Sequence, residues 1–200
     1  RFVLYRGATF NPTFTVSDNS GTVSSFKMSG GPAGVRFNKN GNSDDAKTNL
    51  TSGTSYQLTA NNVVDTNAAL GTNEASVVVS DANNNAKTYK FQYTVVDIQP
   101  KNSPKDVAVN STLGKPQDYL KVVDSTTSAG ESKYLPDGVT YKWLDSTTFR
   151  DAPNSTVLSE VGSVTKYYAT VAFPQSNTVV KKRIDNVEHT IYYPANAPRP

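Results

Sequence analysis

The clearest pattern of hydrophobic and polar positions lies between Glu74 and Val95. Hydrophobic residues occupy every second position there in two runs: Ala75, Val77 and Val79, followed by Tyr89, Phe91, Tyr93 and Val95. An Asp/Asn-rich segment, residues 81–85, separates the two runs. A period of two indicates β-strands and an Asp/Asn cluster favours a turn, so the pattern predicts a β-hairpin.

The same alternation predicts short strands through the rest of the chain. They are expected at residues 2–5, 10–16, 23–28, 35–37 and 55–59 before the hairpin, and at residues 106–109, 119–123, 139–143, 167–173, 178–184 and 187–193 after it. Residues 38–51 are polar without a hydrophobic period, which predicts a long loop or a ragged sheet edge. Residues 65–70 have room for a single helical turn.

Many short strands separated by turn residues are typical of immunoglobulin-like β-sandwiches. Residues 99–105 contain Pro100 and Pro104 and no hydrophobic period, and prolines stiffen a short connection. We therefore predict an all-β protein of two tandem immunoglobulin-like β-sandwich domains, residues 1–98 and 106–194, followed by an extended tail at 195–200. Trp143 is the expected core anchor of the second domain.

Composition narrows the classes of function. The 200 residues carry a net charge of +3, and their one basic run, Lys181 to Arg183, is followed by Asp185 and Glu188. A short basic run is typical of a solvated or edge strand, so we expect no nucleic-acid binding, and no apolar run is long enough for membrane insertion. The chain has no cysteine and no initiator Met, which indicates a fragment of a larger, Gram-positive surface protein.

Two sets of motifs carry a family resemblance. Residues 4–7 (LYRG) and 15–21 (TVSDNSG), together with 79–84 (VSDANN), resemble the cadherin-like and immunoglobulin-like modules in the binding regions of serine-rich-repeat adhesins of Gram-positive bacteria. Residues 135–143 (LPDGVTYKW) and 168–174 (YATVAFP) are similar to the Rib-type repeat of Gram-positive surface proteins.

The resemblance implies an extracellular, cell-wall-anchored adhesin that attaches to host cells. Its implied partner is a host cell-surface glycoprotein or glycan, bound directly or through a neighbouring domain. Sialoglycan-binding members carry an aromatic-Thr-Arg signature on the strand that corresponds to residues 74–79, where this chain has Glu74, Ala75 and Ser76. Without the arginine, no cation is present there to meet a sialic acid carboxylate.

Calcium is the candidate metal. Oxygen ligands suited to Ca²⁺ occur in three polar segments: Asp18, Asn19, Asp44, Asp45, Asp81 and Asn83. A sandwich fold would bring Asp18 and Asp81 to the same tip, and the resemblance adds that cadherin-like modules commonly bind calcium near domain ends. The alternative is that these residues are ordinary turn formers. A second site at the joint would use Asp65, Asp97 and Asp106.

The sequence contains no recognisable set of catalytic residues. His189 is the only histidine, it lies in a predicted strand, and there is no cysteine for a nucleophile or a zinc site. We therefore do not expect an enzyme. Exposed tyrosine rings could stack on sugars, and the candidates are Tyr56, Tyr134, Tyr168 and Tyr192. The alternative is that these rings pack in the core of the sandwich.

Two hypotheses follow for the function. In the first, the two β modules form a semi-rigid stalk, stiffened by calcium, that projects a separate ligand-binding domain. In the second, the modules themselves recognise a host glycan or protein through the loops at residues 18–21, 38–51 and 81–85.

Overall fold

A computed structural model describes residues 1–16, 25–39, 42–44, 46–47, 56–61, 63–81, 83–101, 107–125, 132–159, 167–174 and 179–194. The described residues form strands, turns and two 3₁₀ helices, Pro116–Tyr119 and Ser132–Tyr134, with no α-helix among them. The all-β prediction is confirmed at this level. No helix in the described part of the chain is long and apolar enough to cross a membrane.

The first nine strands lie in the half of the chain that ends at Pro100. They are β1 (Phe2–Tyr5), β2 (Thr13–Val16), β3 (Ser25–Ser29), β4 (Arg36–Lys39), β5 (Asn42–Asp44), β6 (Ala46–Lys47), β7 (Tyr56–Asn61), β8 (Gly71–Ser80) and β9 (Ala86–Pro100). The remaining strands are β10 (Ser111–Thr112), β11 (Leu120–Val123), β12 (Thr140–Asp145), β13 (Asp151–Ala152), β14 (Val157–Leu158), β15 (Tyr167–Ala172), β16 (Val179–Ile184) and β17 (Val187–Tyr192).

The predicted hairpin is present and is longer than its sequence pattern. β8 and β9 pair antiparallel from Gly71 opposite Val95 to Ser80 opposite Ala86. The backbone N–H of Asp81 donates to the carbonyl of Asn85 at the turn, where Asn84 has a φ of 62°. Asparagine tolerates this left-handed conformation better than most residues, which explains the Asn-rich turn.

The largest sheet takes strands from both predicted domains. It has eight strands, in the order β16-β17-β1-β9-β8-β3-β6, and β11 also pairs with β9. β9 continues past the predicted boundary at residue 98, since Gln99 and Pro100 pair with Lys121 and Leu120 of β11. The segment predicted as a linker therefore begins inside a paired strand. A division into two tandem sandwiches stays a prediction.

Three smaller sheets complete the described fold, with the strand orders β2-β7-β4-β5, β13-β12-β15 and β10-β14. The polar residues 38–51 contribute the short strands β5 and β6, each at the edge of its sheet, so the ragged-edge interpretation is the better of the two. The predicted strand at 106–109 is wrong where the structure describes it, because residues 107–110 form no strand. Near residues 65–70, Ala68 donates to the carbonyl of Asp65 in a tight turn without a helix.

β1 lies at the centre of the core. Its side chains Val3, Leu4 and Tyr5 are buried and belong to a cluster that extends from β1 to Tyr193. The ring of Tyr5 meets Phe173 edge to face at 5.1 Å, and Phe173 stacks on Tyr193 at 5.2 Å. Because each large apolar side chain removed from water contributes roughly 1.5–3 kcal/mol, this strand holds the two halves of the chain together.

Trp143 anchors a separate packing site in the second half, as predicted. Its side chain is 5% exposed, its Nε1 donates to the carbonyl of Gly114 at 2.8 Å, and its ring meets Tyr119 edge to face at 5.2 Å. A buried indole N–H needs such a partner. Gly114 has a φ of 76°, which glycine adopts without strain and which presents its carbonyl at the turn.

Candidate functional site

The acidic turn at Asp81 was the first candidate metal site. Oδ1 of Asp81 accepts the backbone N–H groups of Asn83 at 2.8 Å and Asn85 at 2.9 Å, and its Oδ2 accepts Nδ2 of Asn85 at 3.0 Å. The Asn85 side chain is the largest cause that holds the pKa of Asp81 below its usual range, and the two backbone N–H groups add to it. Each of these contacts stabilises the turn itself, which is the role of an Asx turn.

The structure describes only some of the other predicted calcium ligands. Asp18, Asn19, Asp45 and Asp106 lie outside the described residues, and Asp44 is placed by its backbone in β5, opposite Phe37. Within the described ranges, no group of three or more acidic, histidine or cysteine side chains is close enough to hold a metal ion. The calcium site at this tip therefore stays a prediction.

Asp97, predicted for a second site at the joint, has structural partners. Its Oδ2 lies 3.5 Å from Nη1 of Arg6, and its Oδ1 accepts the backbone N–H of Ile98 at 2.8 Å. Arg6 is fixed in turn, because its Nε and Nη2 donate to the carbonyl of Ala68 at 2.9 and 2.7 Å. Asp97 is 9% exposed, so a charged partner is what makes its burial tolerable. The pair ties the end of β1 to β9.

Tyr5 adds a second contact at the same end of β1. Its hydroxyl donates at 2.8 Å to the carbonyl of Tyr134, which lies 129 residues away along the chain. Burial, followed by the nearby Tyr141 and Asp97, raises the pKa of Tyr5 far above its usual range. The Tyr5 hydroxyl is therefore protonated near neutral pH and donates the hydrogen bond to Tyr134.

The loop between β3 and β4 lines an open cleft of about 400 Å³. Its walls are formed by residues 28–35 and by Asp65. Gly34 has a φ of 90°, and a Cβ there would lie 2.3 Å from the carbonyl oxygen of Val63 and 2.6 Å from Oδ1 of Asp65. The hydroxyl of Tyr93 donates to the carbonyl of Gly30 at 2.7 Å and holds the other end of the loop.

The sequence pattern alone did not identify this cleft. The available signal was the density of glycine, since three glycines in residues 30–34 indicate backbone conformations or close approaches that other residues cannot make. The lining of the cleft is more polar than apolar and includes Asp65. Such a lining suits a polar ligand that forms hydrogen bonds.

The tyrosines proposed for sugar stacking have different surroundings. Tyr134 and Tyr192 are buried, so their assignment as exposed platforms is wrong. Tyr134 donates its hydroxyl to Oδ2 of Asp124, and Tyr192 packs edge to face against Phe10 at 5.0 Å. Tyr168 is 39% exposed on β15 and keeps the capacity to stack, whereas for Tyr56 the structure describes only its backbone position in β7.

Two further positions bear on the sequence hypotheses. Glu74 lies on β8, and its Oε1 lies 3.6 Å from Nζ of Lys90, with both side chains more than half exposed. An exposed pair of this kind adds little stability. His189 is partly exposed on β17, and its Nδ1 lies 2.8 Å from the carbonyl oxygen of Val187.

Comparison with known proteins gives a distant structural similarity. No protein-family profile and no curated protein matches the sequence. Among solved structures, the chain is similar to a structure described as the GspB Siglec domain, with a TM-score of 0.35 and 16% sequence identity. The similarity covers 56% of this chain and 61% of that one, so the chain spans about three fifths of the length of the solved domain.

Proposed function

We propose that this chain is a non-catalytic part of a bacterial cell-wall-anchored surface adhesin, where it acts as a semi-rigid stalk that projects a ligand-binding domain toward the host cell. The observation that carries the proposal is the continuity of β9. This strand runs without a break from Ala86 to Pro100, and it pairs with β8, with β1 and then with β11. Stalk modules need such a connection between their parts.

Continuity of this kind supports stiffness. The fifteen residues of β9 extend over roughly 50 Å at about 3.3 Å per residue. A single connecting chain bends about each of its backbone dihedrals, but a strand that is paired along its whole length, as β9 is, bends only with its partners. The buried pair of Arg6 and Asp97 adds a contact at the place where the sequence alone predicted a joint.

The chemistry of the chain also supports a spacer. It has no cysteine and a single histidine, so the sequence lacks a thiol nucleophile and the usual ligands of a zinc site. Calcium at the loops of Asp18 and Asp81 would stiffen the stalk further by joining two turns. That part of the proposal rests on the sequence prediction.

Distances between spin labels test the stiffness. Because the chain has no native cysteine, labels attach only where cysteine is introduced. Thr88→Cys with Arg150→Cys reports across the joint, and Asn73→Cys with Thr88→Cys is the control within one hairpin; all three side chains are exposed. We expect both pairs to give equally narrow distance distributions. A broad distribution for the pair across the joint would contradict a stiff stalk.

The second candidate is direct recognition of a host glycan or glycoprotein, and the cleft next to Asp65 favours it. The loop that lines the cleft leads directly into β4 and the polar segment 38–51. A glycan array and a host-cell binding assay separate the two candidates. The stalk predicts no binding by the folded chain. Recognition predicts binding that is lost when residues 38–51 are shortened or Asp65 is replaced by Ala, and that is kept in Asp137→Ala, a control at another exposed aspartate.

A further inference from the structure

β1 has a strand on each side, and both run parallel to it. Phe2, Val3 and Leu4 lie opposite Thr190, Ile191 and Tyr192 of β17. On the other side, the same residues lie opposite Tyr93, Thr94 and Val95 of β9. The first strand of the chain is therefore inserted between its last strand and its longest strand.

We propose that β1 is the mechanical clamp of this protein: tension between the two ends of the chain loads the β1 ladders in shear. The reason is the parallel direction. Tension enters β1 at Phe2, the end that lies opposite Thr190, and enters β17 at Tyr192, the end that lies opposite Leu4. The two strands are thus pulled from opposite ends of their common ladder.

Shear makes the ladder strong because its hydrogen bonds bear the load together. When two paired strands are pulled from the same end, the bonds break one after another and each bears the full force alone. When they are pulled from opposite ends, one strand can move only if all the bonds break at once. A ladder that includes the bond from the N–H of Thr190 to the carbonyl of Arg1, at 2.9 Å, is in this second arrangement.

Burial and side-chain contacts reinforce the clamp. Val3 and Leu4 are fully buried, so water cannot replace the backbone hydrogen bonds of β1 as they stretch. Tyr5 and Arg6 fix the far end of the strand through the carbonyls of Tyr134 and Ala68 and the carboxylate of Asp97. Any sliding of β1 must break these contacts as well.

The biological use of a clamp rests on the proposed function, since a stalk between a cell wall and a bound host cell carries tension along its chain. The mechanical property itself does not depend on that function. Force measurements on the purified chain test the clamp alone, whereas adhesion and glycan binding test the function alone.

Single-molecule force spectroscopy in two pulling directions tests the clamp. The first direction uses handles at the N-terminal and C-terminal ends of the chain. The second uses the N-terminal handle with a handle at Glu188→Cys, an exposed residue at the same end of the β1–β17 ladder as Phe2. We expect a clearly higher unfolding force between the two chain ends than in the second direction, where the ladder opens one bond at a time. Equal forces in the two directions would overturn the proposal, whether both were high or both low.

A side-chain variant gives an independent measurement. Tyr5→Phe removes only the hydroxyl that binds the carbonyl of Tyr134 and keeps the packed ring, so the protein is expected to fold. At constant force between the chain ends, we expect its unfolding rate to rise by about tenfold, because the lost contact has to break when β1 slides. The control Tyr168→Phe, on the exposed ring, is expected to change nothing. An unchanged rate for Tyr5→Phe would exclude this contact from the clamp.

Discussion

Arg6 and Asp97 form an ion pair between the residue that follows β1 and the strand that crosses the predicted joint. Nη1 of Arg6 lies 3.5 Å from Oδ2 of Asp97, and the remaining donors of the guanidinium are directed at the carbonyl of Ala68. The two side chains are only 18% and 13% exposed. A pair screened from water to this degree has a stronger effect on stability than a surface pair, mainly through the penalty that follows when one partner is lost.

Replacement of Arg6 by Ala is expected to lower the free energy of unfolding by about 2–4 kcal/mol, since it removes the guanidinium from a buried carboxylate and from a carbonyl. Arg6→Lys is expected to lose less, because an ammonium keeps the charge but cannot reproduce the planar fork. Urea titration followed by fluorescence measures both. The control is Lys90→Ala, which removes the exposed pair with Glu74 and is expected to lose under about 1 kcal/mol. Equal losses at Arg6 and Lys90 would contradict the importance of the buried pair.

Trp143→Phe tests the packing site of the second half. Phenylalanine retains most of the apolar surface but cannot donate to the carbonyl of Gly114, so we expect a loss of about 1–3 kcal/mol in the free energy of unfolding. Trp143→Ala is expected to lose about 3–5 kcal/mol. The replaced tryptophan is the only one, so the measurement uses circular dichroism. If Trp143→Phe were as stable as the native protein, the hydrogen bond to Gly114 would have no net effect on stability.

Phe149 is expected to reduce the stability of the native protein. It has a φ of 57° in the turn between β12 and β13, and its side chain is 69% exposed. A bulky residue in the left-handed region is strained, whereas asparagine adopts it readily, as Asn110 and Asn186 do here. Phe149→Asn is therefore expected to raise the free energy of unfolding by about 1 kcal/mol. The matched control is Asn84→Ala, at a φ of 62°, which replaces a residue that tolerates the left-handed region by one that does not. It is expected to lower the free energy of unfolding. A destabilised Phe149→Asn would show that the ring has a stabilising contact.

Acid is expected to weaken two turns. Backbone N–H groups of Thr147 and Thr148 hold the pKa of Asp145 below its usual range, and contacts from Asn85, the side chain first, lower that of Asp81. A carboxyl whose pKa is lower in the folded state stabilises the protein at pH values above the pKa of the unfolded chain, which is about 4. This stabilisation is lost as the pH falls through the pKa of the folded state. Asp145→Asn keeps an acceptor oxygen without a charge. We expect stability plotted against pH to have a shallower slope below about pH 4 in this variant.

Calcium binding at the Asp81 turn is tested by thermal unfolding in EDTA and then in excess Ca²⁺. An ion that binds only the folded chain raises the midpoint temperature of unfolding by mass action. A calcium site predicts a rise that disappears in Asp18→Ala and in Asp81→Ala. Asp145→Ala, at a similar turn far from the predicted ligands in sequence, is the control and is expected to keep the rise. An unchanged midpoint would leave Asp81 with the turn-forming role that its hydrogen bonds show.

Local patterns were predictable because each hairpin carries its own signals. The β8–β9 hairpin and the β16–β17 hairpin follow from alternation and from Asp/Asn turns, and Asp185 and Asn186 both have the positive φ of a two-residue hairpin turn. Trp143 was identifiable for the same reason, since a large aromatic on the apolar face of a strand is expected to be buried.

The pairing of β1 was not predictable from these signals. Alternation at residues 2–5 indicates a strand but carries no information about its partners, which lie about ninety residues away and at the other end of the chain. The linker was predicted at residues 99–105 because of Pro100 and Pro104, yet Pro100 is the last residue of β9 and pairs with Leu120 of β11 on one side, and proline is tolerated at such a strand edge. The cleft near Asp65 was missed because it depends on how the loop of residues 28–35 folds back toward Asp65.

The placement of β1 also affects the order of folding. The hairpins are local in sequence and can form early, but β1 cannot complete its two ladders until β17 is present, and β17 is the last strand of the described chain. Contacts between such distant residues are slow to form because a long loop must close first. We therefore expect the chain to emerge from synthesis or export with its hairpins formed and its central strand unpaired. The insertion of β1 would then be the late step that converts a set of hairpins into one stable core.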